Sequence, residues 1–208
     1  MRPAALALAL TVFTAVPQVA HAATSPVRST MGLLGAPAHF TGNPFTTTQP
    51  LGDVNADGFA DVALGDSALG QVRVVFGQSV HANVDLSKPS TRVFPLPAGS
   101  YAEGAGDVNG DGKDDLLLYA PTAGGFTSAV VFGATDIAAT RLDRLGNRGF
   151  FVLNGIARPA GDLDANGKDD LIVSASAGSG RKLVYVRGRA AGGTLDAMAI
   201  GAAGGDFP

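Results

Sequence analysis

The residues of this chain that could do chemistry are short, oxygen-bearing and evenly spaced. Asp53, Asn55, Asp57 and Asp61 hold positions one, three, five and nine of a nine-residue stretch. Asp107, Asn109, Asp111 and Asp115 repeat the pattern. Asp162, Asp164, Asn166 and Asp170 repeat it again, with Asp and Asn exchanged at positions three and five. The starts lie about 55 residues apart, which is the mark of a repeat architecture. Each copy offers three carboxylates and one amide. Position six is Gly58, Gly112 or Gly167, where a tight loop needs a residue tolerant of positive φ. Position seven is Phe59, Lys113 or Lys168, which can add only a backbone carbonyl. An all-oxygen set suits a hard cation, and several carboxylates on a flexible loop favour Ca2+ over Mg2+, so up to three calcium ions are expected. With no Cys and three His, the composition argues against zinc or copper. Asp, Asn and Gly also form ordinary turns, but three loops with matching ligand positions are hard to explain that way. Without a cation the converging carboxylates would repel one another.

The elements around the loops follow from what flanks them. Position twelve is Leu64, Leu118 or Val173, where an EF-hand needs a bidentate Glu, so helices are not implied. Instead an apolar strand follows each loop: Asp61-Val-Ala-Leu-Gly, Asp115-Leu-Leu-Leu-Tyr and Asp170-Leu-Ile-Val-Ser. A turn of small residues leads to a second strand ending Val74-Val75-Phe76-Gly77, Val130-Val131-Phe132-Gly133 or Val184-Tyr185-Val186-Arg187-Gly188.

This succession of aspartate loop, strand, turn and Phe-Gly resembles the FG-GAP repeats of integrin α-subunit N-terminal β-propellers and of bacterial secreted FG-GAP/VCBS-type proteins. The resemblance runs from Leu51 to Gly188. It implies an all-β fold of propeller blades with about four antiparallel strands each. It also implies loops that join two strands of a blade and hold calcium through the side chains above and the carbonyls of Phe59, Lys113 and Lys168. The third copy departs from the pattern at Asp164 and Asn166, and at Arg187 in place of Phe.

Composition agrees with a secreted β protein. Glycine accounts for 29 of 208 residues, 16% are charged, and Glu occurs once, at Glu103. Short apolar runs broken by Gly, Pro and Asn favour strands. The one long apolar run is N-terminal: Arg2, then Ala4 to Val16, then Ala20-His21-Ala22. This is the pattern of a signal peptide over 1–22, too short to span a bilayer. The net charge of −3, with scattered basic residues and no interleaved aromatics, argues against a nucleic-acid surface.

Catalytic leads are weak. Gly65-Asp66-Ser67 resembles an esterase nucleophile motif, but Asp196 has Ala199 where that chemistry needs a His, and no His follows His81. His39, His81 and Glu103 stand without partner motifs. Gly178-Ser179-Gly180 reads as a hairpin turn.

The expected organisation is a signal peptide (1–22), an irregular segment (23–50) and three repeats (about 51–104, 105–159 and 160–208). Fourth strands are expected near Arg92 to Leu96, Gly149 to Leu153 and Ala197 to Ile200. Closed propellers need about 4 to 8 blades, and one further period beyond Asp162 lies past Pro208. The expectation is therefore an incomplete propeller, either completed by self-association or left as an open arc. The function expected is that of a non-catalytic binding or adhesion module with a protein or carbohydrate ligand. The alternative is an accessory fragment of an exported hydrolase.

Overall fold

The computed structural model describes residues 40–41, 47–66, 70–79, 84–85, 91–95, 97–122, 125–137, 140–177 and 180–200. The signal segment, most of 23–50, His39, His81, Ser67, Gly178 and Ser179 lie outside them.

Strands β1 (Phe40–Thr41) and β5 (Val84–Asp85) form a short parallel pair. The other strands of the described residues form three sheets. In the first, β2 (Thr47–Gly52), β3 (Asp61–Asp66), β4 (Gln71–Val75) and β6 (Thr91–Pro95) run antiparallel in the order β2-β3-β4-β6. In the second, β7 (Tyr101–Gly106), β8 (Asp115–Thr122), β9 (Gly125–Val131) and β10 (Gly149–Leu153) do the same. The third comprises β11 (Gly155–Gly161), β12 (Asp170–Ala177) and β13 (Gly180–Val186). The architecture is all-β, made of blade-like antiparallel sheets, and among the described residues no sheet closes on itself.

Two expected fourth strands are present as β6 and β10. The third is not at Ala197 to Ile200. The last strand is β14 (Gly193–Asp196), which pairs in parallel with β10 of the second sheet. The Asn154 amide donates to the Asp196 carboxylate at 2.9 Å, and Ala197 N–H donates to the Leu153 carbonyl at 3.1 Å. Ala197 is fully buried among residues of the second and third sheets. These contacts draw Asp196 and Ala197 back to β10.

The sheets stack in chain order around two cores. Between the first and second lie Leu51, Val54, Val72, Val74, Phe94, Leu116, Leu118 and Val131. Between the second and third lie Val108, Leu117, Tyr119, Val130, Phe132, Phe150, Leu171 and Val173. Side chains alternate across a strand. Leu116 and Leu118 therefore face one core while Leu117 and Tyr119 face the other. Burial on both faces explains the unbroken apolar run of β8.

Candidate metal centre

Each aspartate loop joins the first two strands of its sheet, and the three share one backbone path. The register shifts by one residue just before each loop, so that Gly52 pairs Asp61, Gly106 pairs Asp115 and Gly161 pairs Asp170. These bulge glycines have φ of +79°, +74° and +70°. Position six is left-handed in all three loops, at φ 88° in Gly58, 85° in Gly112 and 83° in Gly167. Position four is left-handed as well, in Ala56 (60°), Gly110 (77°) and Ala165 (56°). Alanine in this region costs roughly 1–2 kcal/mol. That two loops keep it shows how strongly the surrounding structure fixes the path.

The side chains organise the loops through backbone N–H groups. Asp53 accepts from Asp57 N (3.1 Å) and Gly58 N (2.8 Å). Asn55 Oδ1 accepts from Asp57 N, and Asp57 Oδ1 from Phe59 N. The second loop repeats this with Asp107 accepting from Gly110, Asp111 and Gly112, Asn109 from Asp111, and Asp111 from Lys113. In the third, Asp162 accepts from Asn166 and Gly167. The side chain of Lys113 pairs with Asp111 at 3.2 Å, and that of Lys168 lies against Gly110.

The ninth residue has a second task. Asp61, Asp115 and Asp170 are fully buried. Each accepts from the loop's second residue (Val54, Val108 or Leu163) and from the glycine that closes the following strand (Gly77, Gly133 or Gly188). This carboxylate ties the loop to the Phe-Gly corner, which explains why the two motifs recur together. Burial pushes the Asp61 carboxyl up to about 7 and the Asp115 carboxyl to about 8. The N–H donors oppose the shift and the neighbouring loop aspartates add to it.

The two departures of the third repeat turn out to be one. Arg187 Nε pairs with Asp164 Oδ2 at 2.8 Å, so the acid at position three and the Arg in place of Phe are partners. Asp162, Asp164 and Asp170 each bring a carboxylate oxygen within 4.8 Å of the others. Asp164 Oδ1, the oxygen that Arg187 does not hold, is buried with no hydrogen-bond partner. A buried carboxylate oxygen without a donor is costly. Together with the all-oxygen donor set, it shows that these residues fit a hard cation.

Two further groups escaped the reading of the sequence. Position eight is Ala60, Asp114 and Asp169. Asp114 Oδ2 accepts from Asp53 N at 2.8 Å, and Asp114 N donates to the Asp53 carbonyl at 3.3 Å. Asp169 grips Asp107 in the same way, at 2.8 and 2.9 Å. The second loop is thereby latched onto the first, and the third onto the second. Burial raises the Asp114 carboxyl above its ordinary value, and Asp53 N–H opposes this. The Lys-Asp-Asp shared by the second and third loops was the available signal. Glu103, read as a solitary acid, joins sheets two and three. It accepts from the Tyr119 hydroxyl and pairs with Arg158 at 3.2 Å. The Arg158 guanidinium also lies 5.4 and 4.9 Å from the stacked rings of Tyr101 and Tyr119.

The FG-GAP-like repeat model matches residues 53–118, from the first loop into β8. Residues 53–118 are thus similar to an FG-GAP-like repeat, and the chain is similar to an integrin α subunit. Integrin alpha-PS5 of Drosophila melanogaster is 32% identical over 151 residues. That alignment takes in 64% of this chain and 15% of the relative, so the chain spans a small part of that protein's length.

Proposed function

We propose that this chain is a secreted FG-GAP module that binds calcium at its three aspartate loops and uses the loop-bearing scaffold to engage a protein or carbohydrate ligand, without catalysis of its own. The observation that carries the reading is the common build of the loops together with the unsatisfied Asp164 Oδ1 beside Asp162 and Asp170. Asp53, Asn55, Asp57, Asp61 and their counterparts would hold the ions, which would supply positive charge where carboxylates converge. The family match favours a binding module over an enzyme. Among the described residues no helix is long and apolar enough to cross a membrane. Export rests on the charged, apolar and Ala-x-Ala succession of residues 1–22, ahead of the segment 23–50 and the repeats 51–104, 105–159 and 160–208.

Calorimetric titration of the mature chain with calcium tests this. Up to three equivalents are expected, with one lost in Asp107→Ala, and a melting temperature that falls in chelator. A site saturated at ten times its Kd adds about 1.4 kcal/mol of stability. No bound calcium and an unchanged melt would overturn the reading.

A further inference from the structure

The first residue of an aspartate loop is shared between two repeats. The Asp53 carboxylate gathers its own loop by accepting from Asp57 N and Gly58 N. The Asp53 backbone is held from the second loop, where Asp114 Oδ2 accepts from Asp53 N at 2.8 Å and Asp114 N donates to the Asp53 carbonyl at 3.3 Å. One residue further, the Val54 carbonyl accepts from Ala134 N at 2.8 Å. Both holding groups adjoin the brace of the second loop. Asp114 precedes Asp115, Ala134 follows Gly133, and Gly133 N–H donates to Asp115 Oδ1 at 2.8 Å. Asp115 thus reaches both groups that fix the start of the first loop, one along the chain and one through Gly133. Asp107 is held in the same way by Asp169, which precedes Asp170. The bulge glycines make room for this: a Cβ on Gly52 would collide with the Asp114 carboxylate, and one on Gly106 with that of Asp169.

We infer that Asp114 and Asp169 are positioning residues for the cation site of the loop before their own, so that an ion held in one repeat tightens the site in the preceding one. The inference rests on the reading that the loops bind calcium. Neither residue stands at a ligand position of its own loop. Asp114 lies between Asp111 and Asp115, so a second loop closed around an ion holds Asp114 still. Asp114 in turn fixes the peptide groups on either side of Asp53, whose carboxylate must meet the ion of the first loop. The first site then has less freedom to lose on binding, which tightens it. The coupling is reciprocal. Electrostatics works against it, because two divalent ions repel. The sign of the effect therefore separates the two: the latch makes filling cooperative, whereas repulsion alone makes each ion hinder the next.

A calcium titration of the full chain followed by NMR tests this, with the backbone amides of Gly58 and Gly112 reporting the first and second loops separately. Among the described residues Asp111 is bonded only within its own loop, so Asp111→Ala disables the second site and leaves the grip on Asp53 in place. Coupled sites typically alter one another about 5- to 150-fold, so the Gly58 midpoint in Asp111→Ala should move to at least about fivefold higher calcium. Asp114→Ala should weaken the first site likewise, and Asp111→Ala should add little in that background. Asp114→Asn keeps an acceptor oxygen and loses the charge, so it should retain the Gly58 midpoint of the unaltered chain. Circular dichroism confirms the fold of each variant. A Gly58 midpoint unchanged or lowered in Asp111→Ala would overturn the inference and leave the calcium reading standing. So would weakening in Asp114→Asn equal to that in Asp114→Ala, which would assign the effect to charge. Amides that do not respond to calcium at all would overturn the calcium reading itself, and this inference with it.

Discussion

If Asp114 latches the second loop onto the first, its carboxylate and the bare Cα of Gly52 should depend on each other. Asp114→Ala removes a charge-assisted hydrogen bond to Asp53 N, of a class worth about 1.5–3 kcal/mol. Because Asp114 is half-buried, the lower end applies, about 1.5 kcal/mol. Gly52→Ala places a methyl where the carboxylate lies, so the latch is expelled and the same bond is lost. To this is added the strain of a side chain at φ +79°, about 1–2 kcal/mol. In the double variant the bond is lost once. The cost should then fall short of the sum of the single costs by about 1.5 kcal/mol, a size typical of contacting residues. Denaturant melts of the three variants measure this, and Gly161→Ala, where the space is open, should show the strain alone. In a chain of this size each kcal/mol moves the melting temperature by roughly 2–4 °C. Strict additivity of Gly52→Ala and Asp114→Ala, or a Gly161→Ala cost equal to that of Gly52→Ala, would refute the latch.

Arg187→Phe restores the family residue and removes the counter-charge from Asp164. Such a pair is worth about 4 kcal/mol at an effective dielectric of ~20. Screening of the 43%-exposed Arg187 leaves about 1 kcal/mol, so calcium should bind the third loop roughly five- to tenfold more tightly in calorimetry. Arg158→Ala should cost about 1 kcal/mol in urea melts, since it loses the Glu103 pair and two ring contacts at a half-exposed site. The Asp196 carboxyl is held below its ordinary value by the Asn154 amide and by Met198 N–H. A depressed carboxyl contributes stability above its unfolded pKa and loses it as pH falls through the folded one. The acid limb of the melting curve below about pH 4 should therefore flatten in Asn154→Ala.

Local chemistry was legible in the sequence because it recurs within short stretches. The loop, the strand after it and the Phe-Gly corner keep fixed spacing, and the strands stand where Val62 to Leu64, Leu116 to Tyr119 and Leu171 to Val173 put them. The resemblance drawn from these motifs agrees with the family match. Less legible were the pairings that reach across the chain. Asp53 and Asp114 meet over 61 residues, and Glu103 and Arg158 over 55. No local pattern announces them. The ninth aspartate shows how a residue can be flagged as a ligand and also serve as a brace, since its bond to Gly77, Gly133 or Gly188 appears only once the strands have folded back. β14 escaped for a related reason: Asp196 and Ala197 are placed by Leu153 of β10 and by Asn154 just beyond it, some 42 residues earlier in the chain, not by their own sequence.

The two-faced burial of β8 bears on how the chain can vary. Leu116 and Leu117 are neighbours along the backbone, yet a substitution at one is felt among Val72 and Phe94, and at the other among Phe150 and Val173. The middle strand is thus read twice, by two cores that share little else. Drift in the first repeat can be compensated on one side of β8 without disturbing the third, so the outer repeats are free to diverge from each other while the middle one is held to both.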